Sequence, residues 1–282
     1  MAVFSSIYKK EFGKILYPLG FSISKSIFYK EVNENTCFII HAKRVLYSRA
    51  TGMIEVYIDV VPYCANLRSI EYDPLENANN ILFYYKTLAP NLLDAEGLHD
   101  FLSNRFSANN DEDTACSIKN ISFEIEELVL PYMMKFVDLE FYYNELQILC
   151  EINGSKNIYY DPFIHGMSIK LHEYKNALPL TEKRIGYHSG VCERVKLELE
   201  ELKKGQYNKS IRRKIKQDNT FLDRFMNAKI EMIVDAEREI KILQTQKEAL
   251  LANDQVFLDR LALDTENESR NYIRQVLMIG KN

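Results

Sequence analysis

The residue types that could perform chemistry are spread along the chain without the spacing of a known catalytic motif. The ten glycines never form a GxGxxG or GxxxxGK arrangement, which disfavours a loop that cradles phosphates. No GxSxG marks a nucleophile elbow. Glu55 and Asp59 fall on one face of a predicted strand, but no Lys stands beside them at the spacing of a nuclease core. Such carboxylates are more typical of the solvated face of a half-buried sheet, so we predict no catalytic residue.

Two pairs of side chains, one His–Cys and one His–His, have spacings that could supply metal ligands. His188 and Cys192 stand four residues apart on a predicted helix, and His165 and His172 stand seven apart after a turn-rich segment. Neither pair has a second pair at ligand spacing, and the acidic run 111–113 reads as a charged loop. We therefore expect packed side chains, no cofactor, and folding that needs neither a metal nor a disulfide.

The strongest local signal is the basic segment Lys203–Lys216, which contains no acidic residue. Its cationic residues are Lys203, Lys204, Lys209, Arg212, Arg213, Lys214 and Lys216. Such a segment could be a solvated helix neutralised by the acidic N-terminal half, or it could contact an acidic protein or the phosphates of a nucleic acid. Nucleic acid is the less favoured partner, because the whole chain is acidic and the segment has one aromatic residue, Tyr207.

Composition and charge place the chain among ordered globular proteins. It has 282 residues, 46% hydrophobic and 27% charged, which suffices for a large core. Residues 1–165 carry 14 Lys and Arg against 22 Asp and Glu, and residues 166–282 carry 22 against 18. The N-terminus has no long apolar stretch, no window resembles a membrane span, and the five cysteines are widely spaced. We expect a cytoplasmic protein that does not enter membranes.

The N-terminal half predicts an α+β domain, residues 1–152. A helical pattern over residues 3–17 ends at Pro18 and Gly20, and strands follow at residues 26–32, 36–45 and 53–63. In the third strand Ile54, Val56, Ile58 and Val60 are expected to be buried, with Glu55 and Asp59 more exposed. Helices are predicted at residues 77–88, 92–105 and 118–150, the last interrupted by Pro131, with an exposed acidic loop at 108–114.

The C-terminal part, residues 163–282, predicts helices after a linker at 153–162, and it is either one unit with the first domain or separate from it. Its heptad frame has mostly apolar positions, interrupted by Lys229, Lys247 and Asp254. The apolar members are Leu222, Met226, Ile233, Ala236, Ile240, Leu243, Leu250, Phe257 and Leu261. We favour an antiparallel helical hairpin within the chain, and a coiled-coil homodimer through the C-terminal helices is the alternative.

The N-terminal half also resembles an uncharacterised bacterial family, domain of unknown function 4304. The matching residues are Leu16, Pro18, Leu19, Gly20, Phe21, Phe28, Tyr29, Leu130, Pro131, Tyr132 and Phe136. This resemblance implies a helix, an antiparallel sheet and a later kinked helix, and it implies no catalytic residue. A fainter resemblance to tetratricopeptide helices lies in residues 172–178 and 206–210, although a solenoid needs about three stacked repeats.

From these observations we predict a non-catalytic binding or regulatory protein that acts through protein contacts. The alternative is a hydrolase or nuclease whose acidic and histidine residues meet only in three dimensions.

Overall fold

The computed structural model describes residues 2–46, 52–67, 106–153, 161–218 and 220–277. The first helix, α1 (Ala2–Leu16), is followed by strands β1 (Ser22–Ser24), β2 (Ile27–Glu31), β3 (Thr36–Leu46) and β4 (Gly52–Pro62). Gly20 ends the turn after α1 with φ 85°, and the Phe21 amide donates to the Leu16 carbonyl at 3.0 Å. The predicted helix stop is therefore confirmed.

The strands form one antiparallel sheet in the order β1-β2-β3-β4-β5, where β5 is the short strand Phe106–Ser107. The pairing of β3 with β4 runs from Thr36 opposite Pro62 to Leu46 opposite Gly52. Helix α1 lies against this sheet through its aromatic face, since the Phe12 and Phe28 ring centroids are 6.2 Å apart. The predicted α+β class is confirmed.

Burial along β4 only partly follows its alternation. Ile54, Ile58 and Val60 are buried as predicted, and Val56 is half-buried. The prediction that Asp59 is exposed is wrong, because its exposed fraction is 1%. Tyr57 and Val61, on the same face as Asp59, are buried as well, so both faces of β4 are covered. The side chain of Glu55 lies outside the described residues.

Helices follow the sheet in sequence. They are α2 (Asp111–Glu124), a π-helical segment (Ile125–Val129), α3 (Leu130–Lys135), α4 (Leu139–Asn153) and α5 (Asp161–Lys170). At Leu130 the helix changes from the π-helical segment to α3, so Pro131, where the sequence predicted a kink or a restart, stands in the first turn of α3. The helices predicted at 77–88 and 92–105 lie outside the described residues, as do residues 154–160 of the predicted linker.

The acidic loop predicted at 108–114 is wrong in its second half, because α2 begins at Asp111. The Asn110 side chain caps this helix by accepting a hydrogen bond from the Asp113 amide at 2.8 Å. The three acidic residues 111–113 occupy the first turn, where the helix dipole favours negative charge. An Asn followed by acidic residues is a local signal from which this helix start could have been predicted.

The last helices are α6 (Tyr174–Lys203), α7 (Lys209–Gln217), α8 (Phe221–Ala252) and α9 (Gln255–Leu277). The chain divides into two compact units, which we call the sheet unit (Met1–Leu171 with Leu261–Asn282) and the hairpin unit (His172–Arg260). The division therefore falls at residues 171/172 and 260/261, whereas the sequence placed a linker at 153–162. None of the helices in the described ranges is both long and apolar enough to cross a membrane.

The hairpin unit is an antiparallel pair of α6 and α8. Its antiparallel direction is shown by two ion pairs, Lys229 with Glu198 at 2.6 Å and Lys247 with Glu182 at 2.7 Å. The predicted hairpin is thus observed, and the heptad seam of α8 faces α6 within one chain. The frame stops at Ala252, because Asn253 takes a left-handed conformation with φ 54°. Phe257, which the frame placed in the seam, is exposed.

Candidate functional site

The seven basic residues of Lys203–Lys216 lie at the end of the hairpin unit where α6 turns back into α8. Lys203 is the last residue of α6, Lys204 follows it, and the other five belong to α7. All seven side chains are exposed. Since α6 has 30 residues and is about 45 Å long, this end is far from the His172 end of the same unit. We call residues 203–217 the basic tip.

The local sequence explains why the basic tip folds as a short, separate helix. Gly205, with φ 74°, ends α6, and its amide donates to the Leu202 carbonyl at 3.0 Å. Asn208 then caps α7 by accepting a hydrogen bond from the Ile211 amide at 2.9 Å. Lys214 and Lys216 occupy the last turn, where the helix dipole favours positive charge.

The side chains of α7 are segregated around the helix. At about 100° per residue, Lys209, Arg212, Arg213 and Lys216 fall within an arc of about 100°. Ile211 and Ile215 lie on the far side of the helix and are half-buried. The isoleucines therefore pack on the inner side of the helix, and the four-cation face points towards solvent.

Most of these cations have no acidic partner in the part of the chain that the structure describes. Lys204 is 3.9 Å from Glu200, with both side chains largely exposed. Lys214 lies over the Phe221 ring at 5.4 Å from its centroid. The remaining five form no ion pair with a described residue. The neutralisation by the acidic N-terminal half that the sequence suggested stays a prediction, because that half belongs to the sheet unit and the basic tip to the hairpin unit.

Acidic residues border the basic tip on both sides. Glu200 and Glu201, in the last turn of α6, are exposed. After α7, Asp218 pairs with Arg224, and Asp223 is exposed. Along the chain, the stretch without an acidic residue therefore runs from Leu202 to Gln217.

A second concentration of titratable groups lies in the sheet unit, where β2 and β3 meet α9. Glu31 and Cys37 are register partners, and Tyr63 neighbours both. The Arg274 guanidinium donates two hydrogen bonds of 2.8 Å to the Glu31 carboxylate. The Arg270 guanidinium lies 5.2 Å from the centre of the Tyr63 ring. We call these five residues the Glu31 cluster.

In the Glu31 cluster the charges of Glu31 and Arg274 are paired with each other. Hydrogen bonds from Arg274 lower the pKa of Glu31, so the carboxylate stays charged and paired. Burial raises the pKa of the Cys37 thiol to about 12, which leaves it protonated at neutral pH. Burial likewise raises the pKa of Tyr63. This arrangement offers no activated nucleophile, and its visible effect is to hold α9 against the sheet.

The histidines and cysteines considered as ligands are not brought together. Cys192 is buried, and its thiol approaches the Ile233 carbonyl at 3.9 Å. His188 is partly buried, which lowers its pKa. His165 is buried in α5, whereas His172 lies beyond that helix at φ 61° and pairs with Asp259 at 2.8 Å. Across the described ranges, no three His, Cys, Asp or Glu side chains are grouped as metal ligands.

Comparisons with known proteins do not place the chain in a family. No family model, curated protein or solved structure matches it. The resemblance to the domain of unknown function 4304 family therefore stays a prediction.

Proposed function

We propose that this protein is a non-catalytic binding or regulatory protein that acts through protein contacts made by the basic tip. The observation that carries this proposal is the exposed four-cation face of α7, which forms no ion pair with a described residue of the hairpin unit. An acidic protein surface would supply the missing counter-charges.

Repulsion between like charges destabilises the basic tip, and an acidic partner would reduce this repulsion. Lys209 and Arg213, and likewise Arg212 and Lys216, are four residues apart on the helix, where like charges repel by about 0.2–0.5 kcal/mol per pair. A helix selected for stability alone would carry acidic residues at some of these positions. The retained repulsion therefore supports a role for the charge itself.

The hydrolase or nuclease alternative would need a group of titratable side chains such as the Glu31 cluster. Its protonated thiol and its paired carboxylate are a poor start for such chemistry, so the binding role has the better support. A cytoplasmic location belongs to the same proposal and is supported by the odd number and wide spacing of the cysteines. The homodimer through the C-terminal helices stays a prediction.

Charge reversal at the basic tip tests the proposal. Fluorescently labelled poly-glutamate, duplex DNA and single-stranded RNA would be titrated with wild type and with Arg212→Glu/Arg213→Glu at about 150 mM salt. The control is Lys175→Glu/Lys241→Glu, which makes the same charge change at exposed positions of α6 and α8.

We expect poly-glutamate to bind wild type and the control, and to bind the tip variant at least about tenfold more weakly. Poly-glutamate that fails to bind, or that binds all three proteins alike, would contradict the proposal. So would tight nucleic-acid binding at this salt concentration that the tip variant loses.

A further inference from the structure

We infer that the partner of the basic tip presents a short acidic polypeptide segment, with carboxylates about one helical turn apart over about 10 Å. This inference rests on the proposed function and adds the size and spacing of the acidic surface. Three features of the basic tip support it: the spacing of the cations on α7, the acidic residues that flank the tip in the chain, and the absence of aromatic residues from the cationic face.

The spacing of the cations on α7 determines the spacing expected for the carboxylates of the partner. Lys209 with Arg213, and Arg212 with Lys216, form two rows whose members lie about 6 Å apart along the helix. From Lys209 to Lys216 the backbone rises about 10 Å. Carboxylates that are one turn apart on a helix, or two residues apart on an extended strand, repeat at nearly the same distance.

The acidic residues on either side of the basic tip limit the length of the acidic segment that it would bind. The exposed carboxylates nearest to α7 in the chain are Glu200 and Glu201, which precede Lys203 and Lys204, and Asp223, which follows α7. At physiological salt an exposed carboxylate repels an anion over a Debye length of about 8 Å, so these residues oppose a polyanion that extends close to them. A long polyanion therefore gains little beyond the four cations, whereas a short acidic segment uses all of them without meeting the border.

The apolar residues of the basic tip argue against a nucleic-acid strand. Single-strand binders interleave cations with aromatic side chains on which bases stack. Here the cationic face contains no aromatic residue, Tyr207 is half-buried before α7, and Ile211 and Ile215 lie on the opposite face. The two arginines offer planar guanidinium groups that pair with carboxylates as well as with phosphates, so the missing aromatic residues are what disfavour a nucleic-acid strand.

Peptides of defined spacing test the inference. The first is a helical peptide with four Glu as two i,i+4 pairs on one face, and the second has the same composition with the Glu distributed around the helix. A third doubles the length of the acidic face. Binding to wild type, Arg212→Glu/Arg213→Glu and Lys175→Glu/Lys241→Glu would be measured by fluorescence anisotropy at about 50 and 150 mM salt.

We expect the first peptide to bind wild type several-fold more tightly than the second, and the third to bind within about twofold of the first. Equal binding of the first two peptides, or affinity that rises steeply with acidic length, would overturn the inference. If poly-glutamate still binds through the tip in that case, the proposed function survives. If no acidic polypeptide depends on the tip, both fail.

The tip variant must stay folded for these results to count. Arg212→Glu replaces a like-charge pair with a carboxylate four residues before Lys216, which is the favoured i,i+4 orientation, so helix content should be kept or should rise slightly. Circular dichroism checks this point. A neutral variant, Arg212→Gln/Arg213→Gln, should bind the first peptide with intermediate affinity if charge is the cause.

Discussion

The Lys229 ammonium of α8 lies 2.6 Å from the Glu198 carboxylate of α6, at a position that the heptad frame assigns to the apolar seam. Lys229 is only 18% exposed, and its ammonium also lies 5.4 Å from the centre of the Phe225 ring. The lysine is tolerated because its stem packs in the seam while its charge reaches an acid on the facing helix. Lys247 and Glu182 repeat this arrangement at 2.7 Å.

A charge swap should reveal how much the Lys229–Glu198 ion pair contributes to the free energy of unfolding. Glu198→Lys alone is expected to lower the free energy of unfolding by about 0.5–1 kcal/mol, because a half-buried ammonium then faces a like charge. Glu198→Lys with Lys229→Glu should recover most of that loss. Urea denaturation measures both. The same swap at Lys196 and Glu237, both 54% exposed, is the control and should have a smaller effect.

Replacing either of two glycines inside α6 by alanine should stabilise the protein. A Cβ added at Gly186 or at Gly190 meets no atom within 4 Å, and both residues lie in the helix interior. Alanine at either site should therefore raise the free energy of unfolding by about 0.5–1 kcal/mol, because the unfolded chain loses conformational freedom.

Gly166 of α5 provides the opposite case. A Cβ there would overlap the Cys64 carbonyl oxygen, which is backbone and cannot move cheaply. Gly166→Ala should lower stability, and denaturation curves of the three variants compare the sites directly. Destabilisation by Gly186→Ala would show that this glycine has a role beyond the described contacts.

Glu145 of α4 should make stability depend on pH. The side chain is buried, its Oε2 atom has no hydrogen-bond partner among the described residues, and desolvation raises its pKa. A pKa that is higher in the folded than in the unfolded state means that the carboxylate costs stability at pH 7, and that this cost disappears as pH falls and the group protonates.

Glu145→Gln is therefore expected to be more stable than wild type at pH 7, with the difference shrinking as pH falls through the raised pKa of the folded state and disappearing below the ordinary pKa of Glu, about 4.3. Thermal melts over that range measure the difference. Glu140→Gln, at an exposed position of the same helix, should show little change. A difference that grows towards low pH would contradict the assigned sign.

The cysteines should differ strongly in reactivity. Cys116 is exposed on α2, whereas Cys37 and Cys64 are buried and burial raises the pKa of each thiol to about 12. Alkylation of the native protein at neutral pH, followed by peptide mapping, should modify Cys116 well before either buried thiol. Rapid modification of Cys37 would reveal a reactive thiol in the Glu31 cluster and would favour the enzyme alternative.

Local chemistry in the sequence was enough to predict several elements. The apolar alternation of residues 53–63 predicted β4, Pro18 and Gly20 predicted the end of α1, and the heptad frame predicted the seam of α8, because backbone geometry repeats at fixed periods. The basic tip was also visible, since it is a continuous run of residues. Its function as a binding surface stays a proposal.

Tertiary structure decided what depends on distant partners. Asp59 is buried because the polar face of β4 is covered, which no alternation reveals. Arg274 reaches Glu31 across 243 residues, and Lys229 reaches Glu198 across 31. The sequence determines which residues are charged and which face of an element they share. Only the fold determines which charges are paired and which, like the four cations of α7, face solvent without a described partner.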